Sequence, residues 1–221
     1  MIAVLDYGIG NLRSAEKALQ HLGGDALLVS DPEVAAAAGA VVLPGVGNFG
    51  RCLEALRASR LDGVAIEAAT DGRPFLGICV GMQMLYEASE ESPGVAGLGI
   101  LPGTVRRLPA GVKRPQMQWN RLDPAGSRPD GAGSPLEGLD LGGPDSEGTA
   151  WAYFVHSYAC PPGPEVVATC DYGGPVTAAI ARGPLWATQF HPEKSSTAGL
   201  AVLGNFVRAA ARARRLATPA R

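Results

Sequence analysis

The stretch Arg73-Pro-Phe-Leu-Gly-Ile-Cys-Val-Gly-Met-Gln-Met-Leu-Tyr86 decides how the rest of the chain is read. Pro74 opens an apolar run, Phe75 to Ile78, whose length suits a buried strand. Met82 to Glu87 is expected to form the first turns of a helix. Between them lies Gly77-Ile-Cys79-Val-Gly81, a G-x-C-x-G sequence with the form of a nucleophile elbow, Cys standing where Ser is more familiar. A sharp strand-to-helix turn strains its central residue, and side chains two positions to either side are expected to collide with it. Gly77 and Gly81 remove those side chains. The positive end of the following helix favours a thiolate near neutral pH. The competing account of Cys79 is a buried structural thiol, since free cysteine is among the most buried residue types.

Composition narrows the partners. The 221 residues are 46% hydrophobic and 18% charged, which describes a globular chain with a sizeable core. A net charge of −2 gives no reason to expect nucleic acid or an anionic membrane. No apolar run reaches spanning length. Met1-Ile-Ala-Val-Leu-Asp6 lacks the basic region of a signal peptide and reads as a strand, so a cytoplasmic protein is expected. Cys52, Cys79, Cys160 and Cys170 show neither C-x-x-C spacing nor histidine partners. Free thiols in a reducing compartment follow, with no metal and no cofactor expected. Only His21, His156 and His191 are available as imidazole bases.

Strands and helices alternate from the start. Ile2 to Leu5 is a strand, and Leu12, Ala15, Leu19 and Leu22 recur at helical spacing. His21 falls near the end of that helix, in a surface setting. Ala26 to Val29 is a second strand, Asp31-Pro32 caps an alanine-rich helix, and Val41 to Leu43 is a third strand. Phe49 to Arg57 and Leu61 to Ala69 read as helices. This order predicts an α/β fold of three layers: a mainly parallel central sheet with helices on both faces. Beyond Leu98 the strand candidates are joined by Gly/Pro turns: Leu101 to Arg106, Val112 to Trp119, Trp151 to Val155, Val166 to Cys170, Val176 to Ala181 and Leu185 to Phe190. They are expected to add antiparallel strands in the C-terminal half. A single domain over 1–210 is expected, with 123–149 a long surface loop inside it and 211–221 a tail after an amphipathic last helix.

In parallel sheets ligands gather at the carboxyl ends of strands. Pro44-Gly-Val-Gly47 and the elbow both lie at such ends. An oxyanion hole needs two N–H groups, one from the residue after the nucleophile, Val80, and one from a neighbouring loop, Val46 or Gly47. An ordinary β-to-α turn is the other reading of that loop. His191-Pro-Glu193 follows the strand ending at Phe190. Residues two apart in an extended segment share a side, so Glu193 can fix the tautomer of His191 while the other ring nitrogen takes a thiol proton. A loop histidine beside a solvated glutamate is the alternative.

Gly77-Ile-Cys79-Val-Gly81 together with Phe190-His-Pro-Glu193 resembles the class I, or triad, glutamine amidotransferases. Asp6-Tyr-Gly-Ile-Gly-Asn-Leu-Arg-Ser14, Leu43-Pro-Gly-Val-Gly47, Phe154-Val-His-Ser-Tyr158 and Gln189-Phe-His-Pro-Glu-Lys-Ser195 narrow the resemblance to the glutaminase subunits of imidazole glycerol phosphate synthase. It spans about residues 1–210. The resemblance implies that Cys79 attacks the side-chain amide of L-glutamine, that His191 is base and then acid, and that Glu193 orients it. It implies an oxyanion hole from Val46 and Val80, and substrate-binding positions at Gly45, Gly47, Gln83, His156, Ser157 and Tyr158. It implies a cyclase subunit of (β/α)8-barrel form, supplied in trans as a heterodimer partner, which receives the ammonia. Asn11, Trp119, Asn120 and Lys194 match positions at or near that interface. One departure stands out: Pro115-Gln-Met-Gln-Trp-Asn120 replaces the family's Pro-His-Met-Gly-Trp-Asn. The side chain of Gln118 is expected to alter packing on the partner. Two readings share these residues: a glutaminase or γ-glutamyl hydrolase serving another reaction, and a regulatory subunit without activity.

Overall fold

The computed structural model describes residues 1–125, 134–141 and 148–217. In chain order the elements are β1 (Ile2–Leu5), α1 (Leu12–His21), β2 (Ala26–Val29), α2 (Pro32–Ala36), β3 (Ala40–Gly45), α3 (Phe49–Ala58), α4 (Leu61–Thr70), β4 (Phe75–Cys79), α5 (Val80–Gln83) and β5 (Tyr86–Ser89). There follow β6 (Leu101–Arg107), β7 (Gln116–Arg121), β8 (Asp123–Pro124), β9 (Trp151–His156), β10 (Tyr158–Ala159), β11 (Val166–Asp171), β12 (Pro175–Arg182) and β13 (Leu185–Thr188). A 3-10 turn, Pro192–Lys194, leads into α6 (Ser196–Ala217).

The central sheet has the order β2-β1-β3-β4-β13-β12-β11-β8. Strands β2, β1, β3, β4 and β13 run parallel, and β12, β11 and β8 continue the sheet antiparallel. The parallel strands β1, β3, β4 and β13 are buried along their whole length, as strands covered on both faces must be. The step from β1 to β2 runs one way across the sheet, and the steps to β3 and β4 run the other. Right-handed crossovers therefore put α1 on one face and α2, α3 and α4 on the opposite one. The packing agrees: α1 lies against α6, while α2 and α3 lie against α4. The strand order reverses between β1 and β3, which opens a crevice at their carboxyl ends. Register then sets Gly45, the last residue of β3, directly beside Cys79, the last residue of β4.

Several local expectations change. The helix after the elbow is a single turn, Val80–Gln83, and Tyr86 to Ser89 is a strand paired parallel to β6. Met82, Met84, Leu85 and Tyr86 are all buried, so the segment has no polar face on which a longer helix could run. A one-turn helix supplies free N–H groups at the elbow but little of the expected macrodipole. The strand expected from Val112 starts at Gln116, just after Pro115, and pairs antiparallel with β9 as a separate ribbon. The strand expected to reach Phe190 stops at Thr188, whose Oγ1–H donates to Phe190 O.

The loop expected over 123–149 is not wholly a surface element. β8 extends the central sheet, and Leu136 and Leu141 are buried. Asn205 of α6 donates its amide to Pro135 O and Glu137 O at 2.9 and 3.0 Å, which fastens this segment to the last helix. Residues 126–133 and 142–147 of the loop lie outside the described residues. The expected tail is helical as far as Ala217, and 218–221 lie outside the described residues. Among the described residues no helix is long and apolar enough to cross a membrane.

Candidate active site

Cys79 sits at the junction of β4 and α5 with φ 55° and ψ −110°, a conformation costly for a residue with a side chain. The neighbours are shaped to hold it. A Cβ on Gly81 would lie 1.9 Å from Leu43 O, and one on Gly45 would lie 2.7 Å from Gly81 N. Gly81 and Gly45 thus let β3 and the turn approach each other, whereas the sequence suggested a clash with the central residue itself.

A cavity of about 440 Å³ opens over Cys79. Val46, Gly47, Val80, Gln83, His156, Ser157, Tyr158, His191, Lys194 and Asn11 line it, so segments from both halves of the chain converge with the elbow. Gly45 does not face this cavity; it lines a small void behind it, beside Asn11, His191 and Glu193. Trp119 and Asn120 stand apart from both.

His191 and Glu193 are brought together by the 3-10 turn rather than by an extended strand. His191 Nδ1–H donates to Glu193 Oε1 over 2.8 Å, and both side chains are almost wholly buried. The same oxygen accepts from Asn11 Nδ2 at 3.0 Å. Burial opposes the imidazolium, yet hydrogen bonds to Cys79 and Glu193 outweigh it and push His191 up to about 9. Burial likewise opposes the Glu193 carboxylate, and His191 and Asn11 overcome it, so the group stays below its usual range. With Nδ1 committed to Glu193, the other ring nitrogen faces the thiol.

His156 is held in the opposite state. Burial is the main cause that lowers it to about 4, with His191 adding repulsion and the Tyr158 carbonyl opposing. Its Nδ1–H donates to Tyr158 O at 2.8 Å, so Nε2 is a bare acceptor, buried and unpartnered among the described residues.

Four contributors were not singled out from sequence. Glu91 lines the cavity, and its Oε2 accepts from Phe49 N at 2.7 Å at the start of α3. Tyr7 donates its hydroxyl to Pro44 O at 2.5 Å, and Cys52 donates its thiol to Val46 O at 3.2 Å. These bonds pin the carbonyls on either side of the Gly45–Val46 peptide. Burial pushes the Cys52 thiol up to about 11, which keeps it a donor. Gln189, fully buried, reaches Cys79 Sγ. None of these has a local signature, because each contact crosses between distant segments.

The β7–β9 ribbon carries an apolar outer face. Met117, Trp119 and Trp151 are 61%, 45% and 49% exposed. Register aligns Met117 with Val155 and Trp119 with Tyr153, and Val155 also lines the cavity, so this face adjoins the site. Lys194 is exposed at the cavity edge, whereas Asn120 turns away and donates to Asp171 O at 2.8 Å. By strand alternation Gln116 and Gln118 fall on the opposite face from Met117 and Trp119. Gln116 is fully buried with its amide against Cys170 Sγ, so neither departure changes the outer apolar surface directly.

A buried thiol at an elbow, an imidazole shared with a carboxylate and a cavity over all of them make a site for acyl transfer through sulfur. The description "Glutamine amidotransferase class-I" matches residues 3–210. The chain belongs to this amidotransferase family. Among its relatives, the imidazole glycerol phosphate synthase subunit HisH of Methanothermobacter thermautotrophicus is 49% identical over 211 residues, 94% of this chain and 98% of the relative. The protein of the same name from Deinococcus radiodurans is 46% identical, covering 94% and 93%. Among solved structures, a glutamine amidotransferase superposes with a TM-score of 0.70 at 22% identity, covering 95% of this chain and 98% of that one. PurLQS from Thermotoga maritima gives 0.65 at 19% identity, covering 96% and 97%. The structural likenesses carry the amidotransferase fold, and the close sequence relatives narrow the family to synthase subunits.

Proposed function

We infer that this chain is the glutaminase subunit of an imidazole glycerol phosphate synthase, hydrolysing L-glutamine to glutamate and ammonia. The observation that carries the reading is the His191–Glu193 pair at 2.8 Å facing Cys79 at the floor of a cavity of about 440 Å³. The identity with HisH relatives along nearly the whole chain supports the synthase assignment.

Cys79 Sγ, as thiolate, adds to the side-chain carbonyl carbon of glutamine. The N–H groups of Val46 and Val80 take the oxyanion that forms. Imidazolium at His191 gives its proton to the departing nitrogen, the C–N bond breaks, and ammonia leaves a glutamyl thioester. The neutral imidazole then takes a proton from water, hydroxide adds to the thioester carbon, and the C–S bond breaks to give glutamate and the thiolate. Glu193 does not change charge; it holds Nδ1–H and supports the cation. Gly47, Gln83, Ser157, Tyr158 and His156 hold the substrate along the cavity, with Gly45 acting from behind it through its place beside Cys79. The Glu91 carboxylate suits the substrate's ammonium group. No step calls for a metal or an organic cofactor.

Ammonia would lose its lone pair on meeting bulk water at neutral pH, so a second subunit must receive it. We place a (β/α)8-barrel cyclase, acting in trans on a phosphorylated nucleotide to give imidazole glycerol phosphate and an aminoimidazole carboxamide ribotide, against the face formed by Trp119 and Lys194. Asn11 lies beneath it, and Asn120 contributes by fixing the ribbon to β11. Large exposed aromatic side chains are the usual anchors of such contacts. The same reading takes 1–210 as one amidotransferase domain at work in the reducing cytoplasm, in keeping with the free thiols of all four cysteines.

The test is a Cys79→Ala variant in the reconstituted synthase. Glutamine-dependent synthesis should vanish while synthesis from added ammonium salts persists. Loss of both would make Cys79 a structural residue.

A further inference from the structure

Gln189 precedes Phe190-His191 and is fully buried. Its backbone N–H donates to Ala178 O at 2.8 Å, which anchors the residue to β12 after β13 has ended. Its side chain lies between two residues of the site. Gln83 Nε2 is 3.0 Å from Gln189 Oε1, and Gln189 Nε2 is 3.6 Å from Cys79 Sγ.

The two ends of a carboxamide differ only in chemistry, so their orientation has to follow from their partners. Here the partners fix it. Gln83 also reaches Tyr158 O at 3.0 Å, and a backbone carbonyl accepts only. The end of Gln83 facing Tyr158 is therefore its NH2 group, and the same group faces Gln189. Gln189 must answer with its oxygen. Its remaining end, the NH2, is then turned to Cys79 Sγ. A single carbonyl, Tyr158 O, sets a chain of donors that ends on the sulfur of the elbow.

We propose that Gln189 is a further catalytic residue of the glutaminase reaction, donating its amide N–H to Cys79 Sγ and tying the nucleophile to Gln83 in the substrate cavity. This rests on the reading of Cys79 as the nucleophile. Thiolate accepts such a bond more strongly than thiol, so the donor favours the attacking form. The bond also restrains the sulfur from a second residue besides His191. Gln83 spends both N–H groups on Tyr158 and Gln189, leaving its Oε1 to meet a donor in the cavity. Among the described residues that oxygen has no hydrogen-bond partner. Glutamine bound at Gln83 thus acts on the same amide chain that holds the sulfur.

The test compares the native chain with Gln189→Met, which keeps length and volume but has no donor, and with Gln189→Glu, which keeps the acceptor for Gln83 and sets a negative charge against sulfur. Iodoacetamide alkylation of Cys79 is followed by mass spectrometry of the Cys79 peptide across pH, in the full chain. Burial raises the thiols of Cys52, Cys160 and Cys170, so they are poor competitors near neutrality. Glutamate release is measured in the complex with the cyclase subunit. Gln189→Met should slow alkylation of Cys79 and lower kcat about tenfold to a hundredfold, the range of one hydrogen bond to a charged group, with KM nearly unchanged. Gln189→Glu should alkylate more slowly still. Synthesis from ammonium salts should stay normal in both, which shows that the fold and the partner contact survive. A folded variant whose alkylation profile and kcat match the native chain within about twofold would overturn the proposal. Alkylation needs neither glutamine nor partner. An inactive native complex whose Cys79 still responds to Gln189 would sink the functional reading and leave the sulfur contact standing.

Discussion

Asn11 Nδ2 donates to Glu193 Oε1 over 3.0 Å, joining residues 182 positions apart at the one carboxylate oxygen that also holds His191. Asn11 lines the cavity and follows the first strand, so the start of the chain reaches the triad directly. Removing this donor leaves Glu193 with one bond fewer while His191 remains. Asn11→Ala should lower kcat for glutamine about tenfold, as expected for one bond to a charged group, and change KM little. Asn11→Asp should be worse, since it sets a second carboxylate against Glu193. Steady-state glutamate release in the complex checks both.

His191 is raised to about 9 by Cys79 and Glu193 against the effect of burial. The imidazolium is the acid that releases ammonia, so it must be charged when the tetrahedral intermediate collapses. Glutaminase kcat/KM should fall as pH rises through about 9. Replacing Glu193 with Gln should move that alkaline limb to lower pH, because the carboxylate no longer supports the cation. A pH–rate profile of the two complexes decides this.

Acid stability turns on His156. Its folded value of about 4 lies below the ordinary 6.5, so the unfolded chain binds the proton more readily between those values. Stability from this group is complete above pH 6.5 and is lost as pH falls towards about 4. His191 works the other way, its stabilisation being complete below 6.5 and lost as pH rises to about 9. Urea midpoints should therefore peak near pH 6.5 and fall on either side. His156→Asn keeps a donor for Tyr158 O without titrating, and should flatten the acid limb while leaving the alkaline limb in place.

Two glycines should respond oppositely to alanine. At Gly81 a Cβ would meet Leu43 O at 1.9 Å, and a backbone atom in the central sheet cannot move aside. Gly81→Ala should cost about 3 kcal/mol or prevent folding. Gly63 lies exposed in α4 with nothing within 4 Å of an added Cβ. Gly63→Ala should stabilise by about 0.5–1 kcal/mol through helix propensity. Thermal melts of the two variants separate close approach from propensity.

The contrast in what could be read from sequence follows from range. The elbow, the α1, α3 and α4 helices and the parallel strands are written in spacing over a few residues, and they fold where spacing puts them. The helix expected from Met82 failed because Met84, Leu85 and Tyr86 are buried by the strand β6 and the loop before it, which no local pattern reveals. His191 and Glu193 were legible as a pair since they are two apart. Gln189 carries its contact to Cys79 across 110 positions, and Glu91 reaches Phe49 across 42, so their roles appear only once β4, β13 and α3 are side by side. Gln118 was expected to alter packing on the partner; alternation along β7 puts it on the opposite face from Met117 and Trp119.

On the proposed function, this glutaminase of histidine synthesis passes its ammonia to a separate cyclase. The measurement that bears on it most directly is glutamate release from glutamine by the purified chain, alone and then with the cyclase subunit and its nucleotide. The account predicts slow release alone and a large rise in the mixture, with one imidazole glycerol phosphate formed for each glutamate. Full activity without the partner, or glutamate release with no synthesis in the mixture, would contradict it.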